Sequence, residues 1–81
     1  MNSTDVARIK KAIKAGTLAI SAELVGSELE AEQAARTCGR LAALAGLTTA
    51  QLHARLCPAI RLADLAWNSM VDGWFDAAEG N

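Results

Sequence analysis

The chain has 81 residues, of which 52% are hydrophobic, and a formal net charge of −1. This charge excludes a uniformly basic nucleic-acid coat, and two cysteines are too few for a secreted disulfide scaffold. One domain, residues 1–81, is expected, of a size at which a second subunit often completes a thin core. We therefore expect a protein partner, most simply a second copy of the chain in a homodimer.

Two further features bear on localisation. No apolar segment of the signal-peptide type follows the basic residues near the start. The uncharged run over residues 41–52 is too short to span a bilayer. The sequence therefore predicts a cytoplasmic protein without a membrane partner.

The first predicted helix begins at Ser3 or Thr4, either of which can cap it, with Asp5 in the first turn. Apolar positions then recur at spacings of three and four on one helical face: Val6, Ile9, Ile13, Gly16, Ile20 and Leu24. A glycine inside a helix is less favourable than alanine by about 1 kcal/mol. Gly16 therefore predicts a close helix crossing, and a break at Gly16 with Thr17 as a new cap is the alternative.

The second predicted helix starts after Gly26, where Ser27 and Glu30 have the spacing of a capping box. Its buried face consists of small residues for the most part: Ala31, Ala34, Ala35, Cys38, Leu41, Ala42 and Ala45. Glu32 and Arg36 have the favourable order of an i,i+4 ion pair on the polar face. Small side chains allow neighbouring helices to approach closely, so this face is also a candidate for contact with another subunit.

A helix-turn-helix hairpin is the best-specified local structure. Gly46 is expected to end the second helix, and Thr48 is expected to cap the third with Gln51 at the third helical position. Leu47 and Leu52 have the spacing of a hydrophobic staple across this start. The pattern places the hairpin at the centre of the chain.

The C-terminal third carries one long apolar stripe that Pro58 interrupts, because proline lacks an N–H and crowds the preceding turn. The stripe runs from Leu52 through Leu56 and Ala63 to Trp74. A kinked long helix is predicted, or two helices that meet near Cys57. The expected fold is thus all-α, a small bundle of three to four helices with a central helix-turn-helix hairpin and a kinked C-terminal helix.

All three aromatic residues of the chain lie close to Met70 in the last helix, and they widen its apolar arc beyond what one helix neighbour needs. Tryptophan and methionine are typical anchors of protein interfaces. The predicted protein-binding site therefore consists of Trp67, Met70, Trp74, Phe75 and the charged rim residues Arg36 and Arg40. The alternative is that these side chains fill the core. Replacing Trp74 by alanine is expected to weaken a dimer if Trp74 is an anchor, and to unfold the monomer if it is core.

The preferred function is a small cytosolic regulator, adaptor or inhibitor that acts by protein–protein binding and self-associates, of the kind that phages and plasmids encode. The sequence gives little support for an enzyme, since it has one histidine, no tyrosine and no glycine-rich phosphate loop. No cofactor is expected.

DNA binding is the alternative function. Residues 33–63 contain no Asp or Glu, and Ala42, Gly46, Leu47, Thr48 and Leu52 resemble the pattern of the helix-turn-helix family of repressors. The resemblance implies that one set of side chains would face the major groove: Thr48, Thr49, Gln51, His53 and Arg55. A second set would contact phosphates: Arg36, Arg40 and Arg61. Arg55 departs from the family pattern, which has an apolar residue at that position.

A metal site is one hypothesis for His53 and Cys57, which lie four residues apart, with Cys38 brought close by an antiparallel hairpin. The two thiols could instead pair as a disulfide. The preferred interpretation is that both cysteines are small core residues and His53 lies at the rim, because no C-x-x-C motif or second histidine supports a site.

Overall fold

The structure, a computed structural model, describes residues 2–56 and 63–80. These residues form four helices: α1 (Ser3–Leu24), α2 (Glu28–Leu44), α3 (Thr49–Leu56) and α4 (Asp64–Ala78). The predicted all-α bundle with its helix-turn-helix connection is confirmed. The predicted break at Pro58 lies outside the described residues, as do Cys57 and Arg61.

Helix α1 is continuous through Gly16, so the alternative of a break with Thr17 as a cap is wrong. Gly16 is buried where α1 meets α2 and α3, and a Cβ built on it would lie 3.0 Å from Leu56 Cδ1 and 3.1 Å from Cys38 Sγ. The close crossing predicted for Gly16 is therefore confirmed. The hydroxyl of Thr17 donates to the carbonyl of Ile13 at 3.0 Å and leaves the helix intact.

The start of α1 is one residue earlier than predicted. Asn2 is the cap, and its Oδ1 accepts a hydrogen bond from the Asp5 backbone N–H at 2.9 Å. Because helix assignment begins at Ser3, the predicted caps Ser3 and Thr4 are wrong. Asparagine and serine cap about equally well, so the residue types alone did not distinguish the two positions.

Both predicted glycine stops are confirmed. Gly26 and Gly46 have φ of 84°, a left-handed conformation that glycine adopts without strain. At the second stop, the Leu47 N–H donates to the Ala42 carbonyl at 2.9 Å and the Gly46 N–H to the Ala43 carbonyl at 3.0 Å. This pair of hydrogen bonds is a Schellman motif, which satisfies carbonyls at the end of α2.

The two predicted capping boxes differ in outcome. Thr48 and Gln51 form theirs: the Thr48 N–H donates to Gln51 Oε1 at 2.8 Å, and the Gln51 N–H donates to Thr48 Oγ1 at 3.1 Å. Helix α2 begins at Glu28 as predicted, but among the described residues Ser27 makes no side-chain capping bond. The ψ of Ser27 is 71°, which departs from the extended backbone of a usual cap. The predicted capping box at Ser27 is therefore wrong.

Helix α2 lies in the middle of the bundle and packs on α1 and on α4. Its predicted small-residue face is confirmed, since the buried side chains of α2 are Ala31, Ala35, Cys38 and Ala42, with Ala45 just beyond its end. The largest fully buried side chains of the described residues are Leu52, Met70 and Cys38. Such a core removes little apolar area per residue from water, so close packing has to compensate.

The contact between α2 and α4 is closest at two glycines that sequence periodicity did not single out. A Cβ built on Gly39 would lie 2.7 Å from the backbone nitrogen of Trp74, and one built on Gly73 would lie 2.9 Å from Cα of Arg36. Any side chain at either position would collide with the backbone of the other helix. The two helices therefore touch backbone to backbone at this crossing.

Helix α4 begins at Asp64, because Ala63 before it has a non-helical backbone with φ of −139° and ψ of 65°. The predicted single kinked helix is therefore wrong, since α3 and α4 are separate helices. The predicted junction near Cys57 lies outside the described residues. Alanine offers no side-chain acceptor for a helix start. Glu23 of α1 supplies one instead, since its Oε1 accepts from the Ala66 N–H at 2.8 Å. A carboxylate at this position also interacts favourably with the helix dipole.

Candidate protein-binding surfaces

The residues predicted to form one protein-binding site do not form one patch. Met70 is fully buried, with 0% of its surface exposed, and belongs to the core between α2 and α4. Its side chain offers no area to a partner, so its assignment as an interface anchor is corrected to a core residue. The wide apolar arc of α4 includes this buried flank, which periodicity alone did not separate from the exposed one.

Trp67 and Trp74 are half-buried and have contacts inside the monomer. The ring of Trp67 meets His53 of α3 edge to face, with centroids 5.1 Å apart. The indole N–H of Trp74 donates to the carbonyl of Leu47 at 2.7 Å. These contacts fasten α4 to α3 and to the turn that precedes α3. The exposed part of each ring is what remains for a partner.

Phe75 is the most accessible aromatic residue, with half of its surface exposed. Its ring lies edge-on to Trp74, at a centroid distance of 5.1 Å and an interplanar angle of 85°. Helical spacing places Trp67, Val71, Trp74 and Phe75 on neighbouring positions of one face of α4, and we call these four residues the aromatic strip. A T-shaped arrangement is one of the preferred geometries of an aromatic pair, so this contact favours the observed orientation of the two rings.

The charges on the helix that carries the aromatic strip have one sign. After residue 63 the sequence has four acidic residues, Asp64, Asp72, Asp76 and Glu79, and no lysine or arginine. Asp72 is exposed and lies one turn before Phe75. The strip is therefore an apolar surface with an acidic border.

The predicted rim residues Arg36 and Arg40 belong to α2, whereas the aromatic strip belongs to α4. The backbone of Arg36 packs against Gly73, and at 3.6 residues per turn Gly73 and Phe75 point about 160° apart on α4. Both arginines are exposed on α2, one turn apart. The backbone of Arg36 therefore lies on the side of α4 opposite Phe75, and the place of the two arginine side chains at the rim of the aromatic residues stays a prediction.

The residues of the DNA-binding alternative are placed as follows. Thr48, Gln51 and Arg55 are exposed, and Thr49 and His53 are half-buried. The side chains of Thr48 and Gln51 bond to each other's backbone in the capping box, and His53 packs on Trp67. Arg55 lies beside Lys10, Val6 and Ile9 of α1. Within the described part, α3 packs mainly on α1, whereas the resemblance implied two helices locked against each other.

Cys38 is fully buried in the contact between α1 and α2, beside Gly16. Burial raises the pKa of the Cys38 thiol to about 12, and a polar contact with the Gly16 backbone lowers it in part. Such a thiol is protonated and unreactive at neutral pH. Among residues 2–56 and 63–80, no three His, Cys, Asp or Glu side chains gather as metal ligands. Cys57, which the metal and disulfide hypotheses require, is outside those ranges.

A second apolar surface follows the outer side of α1 and α2, where two adjoining hollows form what we call the outer groove. The first, about 400 Å³, is lined by residues of both helices that include Leu18, Glu30, Gln33 and Ala34. The second, about 320 Å³, includes Lys11, Lys14, Leu18 and Leu41. Leu18 belongs to both hollows, and 61% of its surface is exposed.

Sequence reasoning missed Leu18 although a signal was present. The buried stripe of α1 runs at spacings of three and four through Gly16 and Ile20, and Leu18 falls between these positions on the other side of the helix. A large apolar side chain off the buried stripe of an amphipathic helix marks a surface that can contact another molecule.

Comparisons of the chain with protein-family models, with curated proteins and with solved structures find no match. Among the described helices, none is both long enough and apolar enough to cross a membrane. Function therefore has to be inferred from the surfaces themselves.

Proposed function

We propose that this chain is a small protein-binding regulator, adaptor or inhibitor that contacts its partner through the aromatic strip of α4. The observation that carries the proposal is the half-exposed Phe75 ring, held edge-on against Trp74 on a helix whose charges are all acidic. Rigid aromatic side chains supply a large contact area and lose little conformational entropy on binding. They are also the residue type most often found at the energetic centre of protein interfaces.

The acidic border of the strip specifies the chemistry of the partner. Complementary charge favours a protein surface with an apolar pocket for Phe75 and lysine or arginine around it. Asp72 is one acidic residue placed to meet such a cation, because it is exposed one turn from Phe75. Rim charges of this kind mainly accelerate association and select the partner, while the buried ring supplies the affinity.

Site-directed photo-crosslinking in cells of the source organism tests this proposal. An aromatic photo-crosslinker at position 75 is expected to give an adduct of one discrete mass with another protein. The same crosslinker at Leu29 is the matched control, because Leu29 is an exposed apolar residue on a different helix, α2. Asp72→Lys should lower the yield at position 75 at least about fivefold, since like charges repel across the rim. Glu28→Lys, an exposed charge reversal on α2, should leave the yield unchanged.

Three results would contradict the proposal. They are the absence of an adduct at position 75, equal adducts at positions 75 and 29, and a yield that Asp72→Lys does not change. An adduct only with a second copy of the chain would also contradict it.

DNA binding through α3 is tested separately by fluorescence anisotropy of a mixed-sequence duplex at low and at physiological salt. Phosphate contacts make DNA affinity fall steeply as salt rises, because binding releases condensed counterions. Steep salt dependence that Arg55→Ala reduces would favour the DNA-binding alternative. The absence of binding at low salt would leave protein binding as the function to pursue.

A further inference from the structure

The outer groove carries charge of opposite sign at its two ends. Lys11 and Lys14 line the hollow that also contains Leu41, and Glu30 lines the hollow with Gln33 and Ala34. Leu18 lies where the two hollows join. The groove thus has a cationic end and an anionic end, with an exposed leucine between them.

We infer that the outer groove is the contact surface for a second copy of this chain, related to the first by a two-fold axis that passes near Leu18. A two-fold interface brings the same patch of both subunits together in opposite directions. The cationic end of one copy then faces the anionic end of the other, and this contact occurs twice. The groove is complementary to itself in this orientation, whereas a parallel arrangement would oppose lysine to lysine.

The exposed apolar residues beyond the groove fit the same arrangement. Leu44 continues the face of Leu41 three residues further along α2. Val25 is the residue directly after α1 and lies seven residues beyond Leu18, in the same direction as the Leu18 face. Leu44 therefore extends the cationic end and Val25 the anionic end. Both are exposed in the monomer. The two-fold axis brings Leu44 of each copy towards Val25 of the other, so apolar surface meets apolar surface on both sides of Leu18.

This surface is separate from the aromatic strip, because it is made by α1 and α2, whereas the strip belongs to α4. Self-association and binding to another protein can therefore fail independently in experiments. A dimer built on the outer groove would leave Phe75 of both copies accessible and would present two aromatic strips, which raises the effective affinity for a partner with repeated sites.

Sedimentation equilibrium of the purified chain tests the inference. At concentrations on the order of 100 μM, sufficient to populate even a weak dimer, the mass is expected to approach twice the 8.5 kDa of the chain. Leu18→Glu should weaken self-association at least about tenfold, because it places a charge at the centre of the interface. Leu24→Glu is the matched control. Leu24 has the same residue type, helix and exposure, 60% against 61%, but lines a different hollow beside Arg55.

A charge exchange tests the antiparallel orientation itself. A chain with both Lys11→Glu and Lys14→Glu, and a second chain with Glu30→Lys, should each be monomeric, because each places like charges at both ends of its own dimer. Mixed together they should form a heterodimer, since both ends then pair opposite charges. Native mass spectrometry with a tag on one chain distinguishes this heterodimer from the two homodimers.

Several results would overturn the inference. They are a monomeric wild-type chain, a dimer that survives Leu18→Glu, equal loss in Leu24→Glu, and charge variants that dimerise alone or do not pair on mixing. Far-UV circular dichroism of each variant should retain the wild-type helix content, because the substituted residues are at the surface. A variant that loses helix content is replaced by the corresponding glutamine substitution, for which a smaller loss of dimer is expected.

Discussion

Helix α2 packs on α4 through glycine and on α1 through alanine and cysteine, and the two contacts leave different surfaces behind. At Gly39 and Gly73 the backbones of α2 and α4 touch, and the crossing has no space for another side chain. Between α1 and α2, Cys38 is fully buried, but the outer side of this contact forms a groove in which Leu18 is exposed. The first contact is completed within the monomer, and the second leaves apolar surface unpaired.

The comparison shows that small residues alone do not determine how completely a helix pair closes. Alanine separates two helices by one methyl group, which leaves room at the edge of the contact when the flanking residues are long, such as Lys14 and Glu30. Glycine on both helices removes that separation. Closely packed backbones gain many dispersion contacts, each small but large in sum. The α2–α4 contact is therefore the site where added volume is tolerated least.

The largest effect is expected for Gly39→Ala and Gly73→Ala. Each substitution pushes a methyl group into the backbone of the facing helix, which can move only if the whole helix shifts. Overpacking of this kind lowers the free energy of unfolding by about 1 to 3 kcal/mol or more, which outweighs the gain of about 1 kcal/mol in helix propensity. Urea denaturation followed by circular dichroism measures the change.

Gly16→Ala is the matched control for this prediction. The new methyl group would meet the side-chain atoms Leu56 Cδ1 and Cys38 Sγ at 3.0 and 3.1 Å, and these can adjust by a few tenths of an ångström. The helix-propensity gain of about 1 kcal/mol then offsets much of the strain, so we expect a small net change. Equal destabilisation by Gly16→Ala and Gly39→Ala would show that the two sides of α2 are packed alike.

The next effect depends on pH and concerns Cys38, which is buried between α1 and α2. The pKa of the Cys38 thiol is raised from 9.0 to about 12 in the folded chain, because burial disfavours the thiolate. Between these values the unfolded chain has lost the proton and the folded chain keeps it. Stability therefore falls as pH rises from 9 towards 12, by up to about 1.4 kcal/mol per pH unit, and no such effect is present below pH 9.

Urea denaturation of the wild type and of Cys38→Ala across this pH range isolates the Cys38 contribution. All other groups are common to the two chains, so their effects cancel in the difference. The difference in stability should be constant below pH 9 and should change in favour of Cys38→Ala above it. A constant difference up to high pH would mean that solvent reaches Cys38 in the folded chain.

A smaller effect is expected for Trp74→Phe, which tests whether Trp74 stabilises the monomer or a subunit interface. The substitution keeps an aromatic ring but removes the indole N–H that donates to the Leu47 carbonyl at 2.7 Å. Loss of one partner of a partly buried hydrogen bond lowers the free energy of unfolding by about 1 to 2 kcal/mol. Thermal unfolding should show this loss, while sedimentation should show an unchanged dimer. Weakened self-association with unchanged stability would instead make Trp74 an interface residue.

Sequence patterns predicted the helices well because each boundary has a local cause. Gly26 and Gly46 end helices through their own backbone freedom, and Thr48 with Gln51 starts one through bonds within four residues. The small-residue face of α2 was equally readable, since burial follows helical periodicity.

The missed features depend on residues far apart in the chain. Gly39 needs Gly73 opposite it, and the start of α4 needs Glu23 from α1. The candidate site was predicted less well than the fold for the same reason. Met70 and Phe75 fall on one broad arc in the sequence, and only the position of α2 decides that Met70 is buried and Phe75 exposed. Leu18 was visible as an exception to the stripe of α1, but the groove around it also requires the residues of α2 that line its other side.

The smallest effect distinguishes the start of α2 from the start of α3. Thr48→Ala removes the hydroxyl that accepts from the Gln51 N–H at 3.1 Å, and loss of such a cap lowers the free energy of unfolding by about 1 kcal/mol. Ser27→Ala should change stability by less than half of this, because the Ser27 side chain makes no capping bond among the described residues. Urea denaturation of the two variants side by side measures the difference.

An equal loss in both would mean that Ser27 does cap α2 in solution, and the turn between α1 and α2 would then be as firmly held as the turn between α2 and α3. Because Ser27 makes no capping bond within the described part of the chain, backbone amides in the first turn of α2 should exchange with solvent faster than the amide of Gln51 in α3. This turn lies at the anionic end of the outer groove.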